Sequence, residues 1–272
     1  MTMKLVCSFL FLSFAFSAQA QHSFEKLWES DTTLAVPESV LFEKDGLYVA
    51  LIDGAPWDAD GKGAIARLDK NGKILNATWA SGLNAPKGMG IHGKKLYVAD
   101  ISDVAVINTE TGKVESRIPV EGATGLNDVT IDKKGTVYVS DSKLGNVHKI
   151  TKGKAELYIN GLKGVNGLKA VNNDLYILTS NDVLRADSNK KLSTIATTEM
   201  GGDGIEPVGN GDYVISCWPG LIYYMDKDGK LEVLLDTREQ KRNTADIGYD
   251  PASRTVYVPT FFKKSVVAYK LK

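Results

Sequence analysis

Cysteine and histidine are scarce in this chain, which has two cysteines and three histidines among 272 residues. Cys7 lies in an apolar segment that we predict to be removed, and Cys217 then has no partner. This excludes a disulfide scaffold, and the few histidines make a histidine-rich metal centre a poor interpretation. We therefore expect a functional site to use other side chains.

An excess of charge of one sign is also missing, since 33 Lys and Arg residues balance 33 Asp and Glu residues. A chain so close to neutral lacks the basic surface with which proteins bind nucleic acid or anionic lipid, so neither partner is expected. We expect instead a monomer that acts on a small-molecule substrate.

Long hydrophobic runs are limited to residues 5–16, which follow Lys4 and are followed by the small residues of 17–20. This run is too short to span a bilayer and has the order of a secretory signal, so no membrane span is expected. We predict cleavage near Ala20 and export to the periplasm or the medium. Removal of 20 of the 272 residues leaves a mature chain, 21–272, of 252 residues.

The chain contains an internal repeat. Six tyrosines in similar short strings recur at intervals of 49, 41, 38, 37 and 44 residues: Tyr48, Tyr97, Tyr138, Tyr176, Tyr213 and Tyr257. Asn-Gly, Thr-Gly and Asp-Gly pairs follow several of them and are typical of hairpin turns, because glycine accepts a positive φ. In the first copy these signals predict four strands, over residues 39–42, 47–52, 64–68 and 74–79.

Four strands in each of six units, with no sustained helical period, predict an all-β, six-bladed β-propeller of four-stranded antiparallel blades. The 252 residues divide into six units of 42, and no linker-like segment interrupts 21–272, which we interpret as a single domain. After Tyr257 only one further strand, residues 266–271, is predicted. Residues 24–28 are therefore expected to join the last blade as its outer strand and to close the ring.

The starts of the innermost strands of a propeller meet at one face, next to the central channel. Ten or eleven residues before each repeat tyrosine the chain has a polar residue: Glu38, Lys87, Asn127, Asn166, Asp203 and Asp246. Carboxylate and carboxamide oxygens suit a divalent cation, with Ca²⁺ the first expectation and Zn²⁺, Mn²⁺ or Mg²⁺ as alternatives. Two other interpretations are that Lys87 neutralises the carboxylates without a metal, and that these are ordinary polar loop residues.

The same positions resemble the motifs of a known family. Glu in the first unit, Asn127-Asp128 in the third, Asn166-Gly167 in the fourth and Asp203-Gly204 in the fifth are similar to the regucalcin (senescence marker protein), gluconolactonase and luciferin-regenerating-enzyme family. The resemblance implies a six-bladed propeller that hydrolyses lactones with a divalent metal. The chain departs from it at Gly125, where regucalcin-type members have a substrate-binding arginine. It also has Lys87 where the more distant paraoxonase-type relatives have a histidine.

The resemblance implies roles for individual residues. The metal ligands would be Glu38, Asn166, Asp203 and Asn127, the last as a ligand or a substrate contact. Asp203 would also be the catalytic base or nucleophile. We further predict substrate contacts at Lys87, Asn127, Asp128 and Asp246 and, in loops over the site, at Trp57, Trp218 and Phe261. An alternative is that these aromatic loops cover blade edges or plug the channel mouth.

These residues predict a divalent-metal-dependent hydrolase of a lactone or related ester, with attack by metal-activated water or a carboxylate at the central channel. The alternative is a non-catalytic propeller of the NHL or WD-repeat type that binds a ligand or a protein, with any Ca²⁺ serving stability alone. A serine-hydrolase route is not expected, because no G-x-S-x-G motif is present and His22, His92 and His148 are interpreted as structural. A structural role for Lys87 would be a salt bridge to Glu38 or Asp246.

Overall fold

The computed structural model describes residues 22–272, so the predicted secretory signal at residues 1–20 lies outside the described part. Within this range the chain forms 24 strands and one short 3₁₀ helix. The strands make six four-stranded antiparallel sheets, which are the blades of a six-bladed propeller. The predicted fold class is therefore confirmed. No helix among the described residues has the length and apolar character needed to cross a membrane.

The first three blades follow one another along the chain. Strand β1 (Phe24–Glu29) comes first and belongs to none of them. Blade 1 contains β2 (Pro37–Glu43), β3 (Gly46–Leu51), β4 (Gly63–Leu68) and β5 (Ile74–Leu83). Blade 2 contains β6 (Pro86–His92), β7 (Lys95–Asp100), β8 (Asp103–Asn108) and β9 (Val114–Pro119). Blade 3 contains β10 (Leu126–Ile131), β11 (Val137–Asp141), β12 (Asn146–Thr151) and β13 (Lys154–Ile159).

The other three blades repeat this order. Blade 4 contains β14 (Leu168–Val171), β15 (Asp174–Leu178), β16 (Asp182–Ala186) and β17 (Leu192–Thr197). Blade 5 contains β18 (Ile205–Gly209), β19 (Asp212–Cys217), β20 (Leu221–Met225) and β21 (Leu231–Asp236). Blade 6 contains β22 (Gly248–Asp250), β23 (Thr255–Pro259) and β24 (Val266–Leu271), with the 3₁₀ helix (Phe261–Lys263) between the last two.

Strand β1 completes blade 6, whose order is β1-β24-β23-β22. It pairs antiparallel with β24, from Phe24 opposite Leu271 to Glu29 opposite Val267. The predicted closure of the ring by the N-terminal strand is confirmed. In blade 1 the four predicted strands are also found, and β5 continues past its predicted end at residue 79 to Leu83.

The repeat tyrosines all lie in the second strands of their blades, and their rings contribute to packing between blades. Tyr176 of blade 4 meets Tyr213 of blade 5 at 4.6 Å between ring centroids, and Tyr257 of blade 6 stacks on Phe42 of blade 1 at 5.8 Å. Aromatic and aliphatic groups buried in this way supply most of the stability of the sheets. Because the apolar core lies between neighbouring blades, the centre of the ring is left for polar side chains.

Candidate metal and substrate site

Three of the predicted ring residues lie at irregular steps of the β-ladder. The pairing of the first two strands is interrupted at Glu38 in blade 1, at Lys87 in blade 2 and at Asn127 in blade 3. A β-bulge adds an unpaired residue and re-aims its side chain, and bulges are frequent next to functional sites. The irregularity is therefore the local reason why these side chains turn toward the centre of the ring.

The ring residues of blades 4 and 5 are held differently, because each precedes the first strand of its blade. The backbone N–H of Asn166 donates to the carbonyl of Leu178 at 2.9 Å. The N–H of Asp203 donates to the carbonyl of Ser216 at 2.7 Å. In both cases the second strand of the blade fixes the backbone of the ring residue, which limits how far its side chain can move.

Residues of all six blades line a cavity of about 280 Å³. Its polar lining consists of Glu38, Lys87, Asn127, Asn166 and Asp203. Its apolar lining consists of Ile52, Pro56, Trp57, Trp218, Phe261 and Phe262. The structure thus brings together the four predicted metal-binding residues, the predicted lysine and the three predicted aromatic residues. Ile52, Pro56 and Phe262 were not predicted as contacts, although their positions beside Trp57 and Phe261 in the same loops could have indicated them.

Two carboxylates that line the cavity are buried, and each has an oxygen that accepts no hydrogen bond from the described residues. Glu38 is 5% exposed and Asp203 is 3% exposed. Three buried side-chain nitrogen or oxygen atoms in residues 22–272 lack a hydrogen bond: Oε2 of Glu38, Oδ2 of Asp203 and Nε2 of His148. Burial raises the pKa of Glu38 to about 8 and that of Asp203 to about 7. The positive charge of Lys87 partly opposes both shifts.

These residues fit a hard divalent cation. The two residues with unpartnered carboxylate oxygens line a cavity that two carboxamides also line, and all four side chains can offer oxygen. Asn166 Nδ2 donates to Oδ1 of Asp203, and Asn127 Nδ2 donates to Oγ of Ser142 at 3.0 Å. Both amides thereby use their nitrogen within the protein and keep their carbonyl oxygen as the remaining polar group. Among the described residues no group of three His, Cys, Asp or Glu side chains could hold a metal, so the carboxamides would be needed.

Lys87 does not form the salt bridge that we predicted as its structural role. Among the described residues no carboxylate lies within 4.0 Å of its ammonium group, neither that of Glu38 nor that of Asp246. Its Nζ instead donates to the carbonyl of Pro56 at 2.7 Å and stands 4.4 Å from the ring centroid of Trp57. The salt-bridge prediction was wrong because the ammonium group donates its hydrogen bond to a loop carbonyl, which a charge count does not reveal.

Two predicted substrate contacts, Asp128 and Asp246, lie outside the cavity lining. Asp128 Oδ2 accepts from the backbone N–H of Leu168 in blade 4 at 2.5 Å, and Asp246 Oδ2 accepts from Oγ of Ser39 in blade 1 at 2.5 Å. Each carboxylate therefore joins neighbouring blades. Glycine is required beside them: a Cβ at Gly88 would lie 2.3 Å from Oδ1 of Asp128. The structure places these two aspartates as inter-blade connectors.

Three aromatic rings from blades 5 and 6 form one wall of the cavity. Phe261 and Phe262 meet edge to face at 4.8 Å, and Trp218 contacts them at 5.4 and 6.0 Å. Phe261 is buried, whereas Trp218 is 38% and Phe262 62% exposed. The loop that carries the two phenylalanines forms the 3₁₀ helix, which the sequence did not predict. Exposed aromatic rings next to a cavity are typical of a binding surface.

No histidine or cysteine of the described part of the chain lines this cavity. His22 contacts Glu232 at 3.0 Å, His92 ends β6 and His148 is buried in β12. Cys217 is fully buried, and burial raises the pKa of its thiol to about 12. A thiol of such a high pKa stays protonated and unreactive at neutral pH. The chemistry of the site must therefore come from its carboxylates, amides and lysine.

No family model and no curated protein matches the sequence. A solved structure provisionally described as a gluconolactonase is 15% identical, with a TM-score of 0.71 and 93% of each chain covered. A catalytically inactive histidine-to-alanine variant of virginiamycin B lyase from Staphylococcus aureus, solved with quinupristin, is 13% identical, with a TM-score of 0.63 and coverage of 93% of this chain and 100% of that one. A chain of the nidogen–laminin complex is 15% identical, with a TM-score of 0.65 and coverage of 76% and 85%. Likeness at this level of identity shows the propeller fold, which hosts enzymes and binding modules alike.

Proposed function

We propose that this chain is a divalent-metal-dependent hydrolase of a lactone or related ester, with Glu38, Asn127, Asn166 and Asp203 as its metal-binding residues. The observation that carries the proposal is the pair of buried oxygens without a partner, Oε2 of Glu38 and Oδ2 of Asp203. An unpaired buried carboxylate costs several kcal/mol, and a cation between the two would offset that cost. Ca²⁺ is the first expectation because it prefers oxygen ligands and tolerates irregular geometry, with Zn²⁺, Mn²⁺ and Mg²⁺ as alternatives.

A bound cation would polarise the carbonyl oxygen of a substrate and lower the pKa of a neighbouring water. Asp203 is the residue that we propose as base or nucleophile, because its Oδ2 has no protein donor while Asn166 holds its Oδ1. Asn166 thereby orients the carboxylate. Glu38 carries the second negative charge of the site, and its burial keeps water from competing for that charge.

The aromatic wall supports a substrate with an apolar part. Trp218 and Phe262 keep exposed ring surface at the mouth of the cavity, and Phe261 lies buried behind them. An apolar group of the substrate that covers these rings would remove apolar area from water, at about 25 cal/mol per Å². It would also exclude water from the carboxylates, which strengthens electrostatic interactions inside the cavity.

The structural neighbours support hydrolysis of a lactone more than a lyase reaction. One neighbour is described provisionally as a gluconolactonase. The virginiamycin B lyase neighbour is a catalytically inactive variant in which alanine replaces a histidine, whereas no histidine of residues 22–272 lines the cavity. A route that depends on histidine therefore has no residue to perform it here, and the carboxylate route is favoured.

The second candidate is a non-catalytic propeller that binds a ligand or protein at the same face. The exposed rings of Trp218 and Phe262 favour it, because such rings are enriched at protein interfaces. The nidogen–laminin neighbour is an example of this fold in a protein complex. This candidate needs no cation and gives no reason for the unpartnered oxygens of Glu38 and Asp203, so it ranks second.

The test is a lactone and ester panel with the purified protein, with each substrate assayed in Ca²⁺ and in EDTA. We expect hydrolysis that EDTA abolishes and Ca²⁺ restores, and loss of that activity in Asp203→Asn and Glu38→Gln. Asp31→Asn and Glu239→Gln are matched controls, since both carboxylates are exposed and have no side-chain partner among the described residues. If the two site variants hydrolysed the panel as fast as the controls, the proposal would be wrong.

A further inference from the structure

Two lysine ammonium groups lie near the ring of Trp57, which lines the cavity. Nζ of Lys87 lies 4.4 Å from the ring centroid of Trp57, and Nζ of Lys143 lies 4.7 Å from it. The two nitrogens are therefore at most about 9 Å apart. They come from different blades, since Lys87 is in β6 and Lys143 lies in the turn between β11 and β12. Like charges so close are unfavourable without a negative partner.

Among the described residues no carboxylate lies within 4.0 Å of either ammonium group, although Glu38, Asp100 and Asp203 act on the charge of Lys87 from farther away. Lys87 is 2% exposed and donates to the carbonyls of Pro56 at 2.7 Å and Ala85 at 3.4 Å. Within residues 22–272 the side chain of Lys143 makes no hydrogen bond or ion pair, and its backbone N–H donates to Oδ1 of Asp141 at 3.1 Å. A buried ammonium that contacts only neutral carbonyls and a ring keeps capacity for an anion.

The backbone next to the cavity leaves room for Lys143. A Cβ at Gly125 would lie 2.6 Å from Cγ and 2.9 Å from Cδ of Lys143. Both distances are shorter than a Cβ atom makes with a non-bonded heavy atom in proteins. The aliphatic stem of Lys143 thus runs over Gly125 and carries its ammonium to Trp57. Gly125 is two residues before Asn127, which lines the cavity. The lysine stem over Gly125 thus places a second positive charge beside Trp57, which lines the cavity.

We propose that Lys87 and Lys143, whose ammonium groups both lie near the Trp57 ring, form an anion subsite, and that the substrate is a lactone or ester that carries a carboxylate. This inference rests on the proposed function. A divalent cation would balance the charges of Glu38 and Asp203, and the lysines would then leave the mouth of the cavity positive. A substrate carboxylate placed beside Trp57 would be attracted by both ammonium groups while the reacting carbonyl of the substrate faces the metal-binding residues.

The test compares γ-butyrolactone-γ-carboxylate with its neutral carboxamide, which has nearly the same size. Calorimetric titration of each into the Ca²⁺-loaded protein measures binding, and kcat/KM measures hydrolysis. We expect the carboxylate to bind about fivefold to tenfold more tightly than the carboxamide. Lys143→Gln should abolish most of this preference and leave carboxamide binding within about twofold, and added salt should weaken the preference in the wild type.

Lys263→Gln is the matched control, because Lys263 is an exposed lysine of the 3₁₀ helix on the aromatic side of the mouth. It should leave both ligands unchanged, and Lys87→Gln should act like Lys143→Gln if its melting temperature shows that it folds. Equal binding of the two ligands by the wild type, or equal effects of Lys143→Gln and Lys263→Gln, would overturn the anion subsite. Preferential binding of the carboxylate without hydrolysis of either lactone would instead contradict the proposed function and support the subsite.

Discussion

Glu29 and Glu38 are close in the chain but differ in their hydrogen bonds and in the direction of their pKa shifts. Glu29, at the seam that closes the ring, accepts on Oε1 from Arg242 at 2.6 Å and from Ser265 at 2.7 Å, and on Oε2 from Lys26 at 2.7 Å. Burial would raise its pKa, but these hydrogen bonds outweigh burial and lower the pKa to about 2. Glu38, in the cavity, has an unpartnered Oε2, and burial raises its pKa to about 8.

The difference indicates that the carboxylates of Glu29 and Glu38 have different roles. At the seam the protein supplies every positive group that the charge needs, so Glu29 stabilises the closure of the ring by itself. In the cavity the protein leaves the charges of Glu38 and Asp203 incompletely compensated, which is an arrangement that disfavours the ligand-free state. We infer that the charge of Glu29 at the seam is compensated within the folded chain. The charges of Glu38 and Asp203 in the cavity would be compensated only with a bound cation.

The largest expected effect is on catalysis. Asp203→Asn keeps the shape of the side chain but removes the group that we propose to take a proton or attack. The rate of lactone hydrolysis should fall about a thousandfold, as expected for loss of a catalytic carboxylate. Steady-state assays in saturating Ca²⁺ would measure it, with Asp31→Asn as control. A decrease of less than about tenfold would assign Asp203 a role in binding alone.

The next effect is on the stability of the seam. Glu29→Ala leaves Arg242 and Ser265 without their acceptor and should lower the free energy of unfolding by about 2 kcal/mol. Urea denaturation with an unchanged m-value would measure the loss. Glu25→Ala on the same strand is the control, because Glu25 pairs with Lys272 at an exposed position and should have little effect. Equal losses of unfolding free energy in the two variants would show that the hydrogen bonds of Glu29 do not stabilise the seam.

A smaller effect of the opposite sign is expected in the cavity. The folded-state pKa of Glu38 is raised to about 8 from 4.5, so the metal-free protein should lose stability as pH rises from about 4.5 to about 8. Glu38→Gln, which has no charge to bury, should stabilise the metal-free protein at pH 8 by about 1–2 kcal/mol. Thermal denaturation in EDTA would measure this gain. A loss of stability in EDTA would show that the charge of Glu38 is already compensated by the protein.

The smallest effect concerns acid at the seam. The pKa of Glu29 is lowered to about 2 from 4.5, so its contribution is present above pH 4.5 and is lost as the pH falls toward 2. Because Glu29 is only partly buried, solvent screening reduces this contribution to about 1 kcal/mol. Glu29→Gln should therefore show a flatter decrease of melting temperature between pH 5 and pH 2. An unchanged pH dependence would assign the acid sensitivity to other carboxylates.

The sequence was sufficient for the fold, because the repeat of Tyr48 and its five counterparts marks the second strand of each blade. Strand β1 was also predictable, since the last repeat lacks an outer strand and residues 24–28 are able to supply it. These are consequences of local patterns, which repeat with the blades. The 3₁₀ helix at Phe261–Lys263 was not predicted, because three residues are too few to show a periodicity.

The site was predictable in part. Spacing from the tyrosines identified Glu38 and Asp203, which share the cavity, and equally identified Asp246, which contacts Ser39 outside it. Spacing alone does not tell which way a side chain turns, since bulges and inter-blade hydrogen bonds decide that. For Lys87, charge alone predicted a carboxylate partner, whereas a distant loop supplies the carbonyl of Pro56. Such contacts depend on how loops from different blades meet.

The most direct test of the cavity as a cation site is the melting temperature of the purified protein in EDTA and in millimolar Ca²⁺, with metal analysis of the same preparation. We predict a bound divalent metal and an increase of about 5 °C in Ca²⁺ for the wild type and for Glu239→Gln, and no increase for Glu38→Gln. No bound metal and the same melting temperature in both buffers would contradict the cation site and favour the binding propeller.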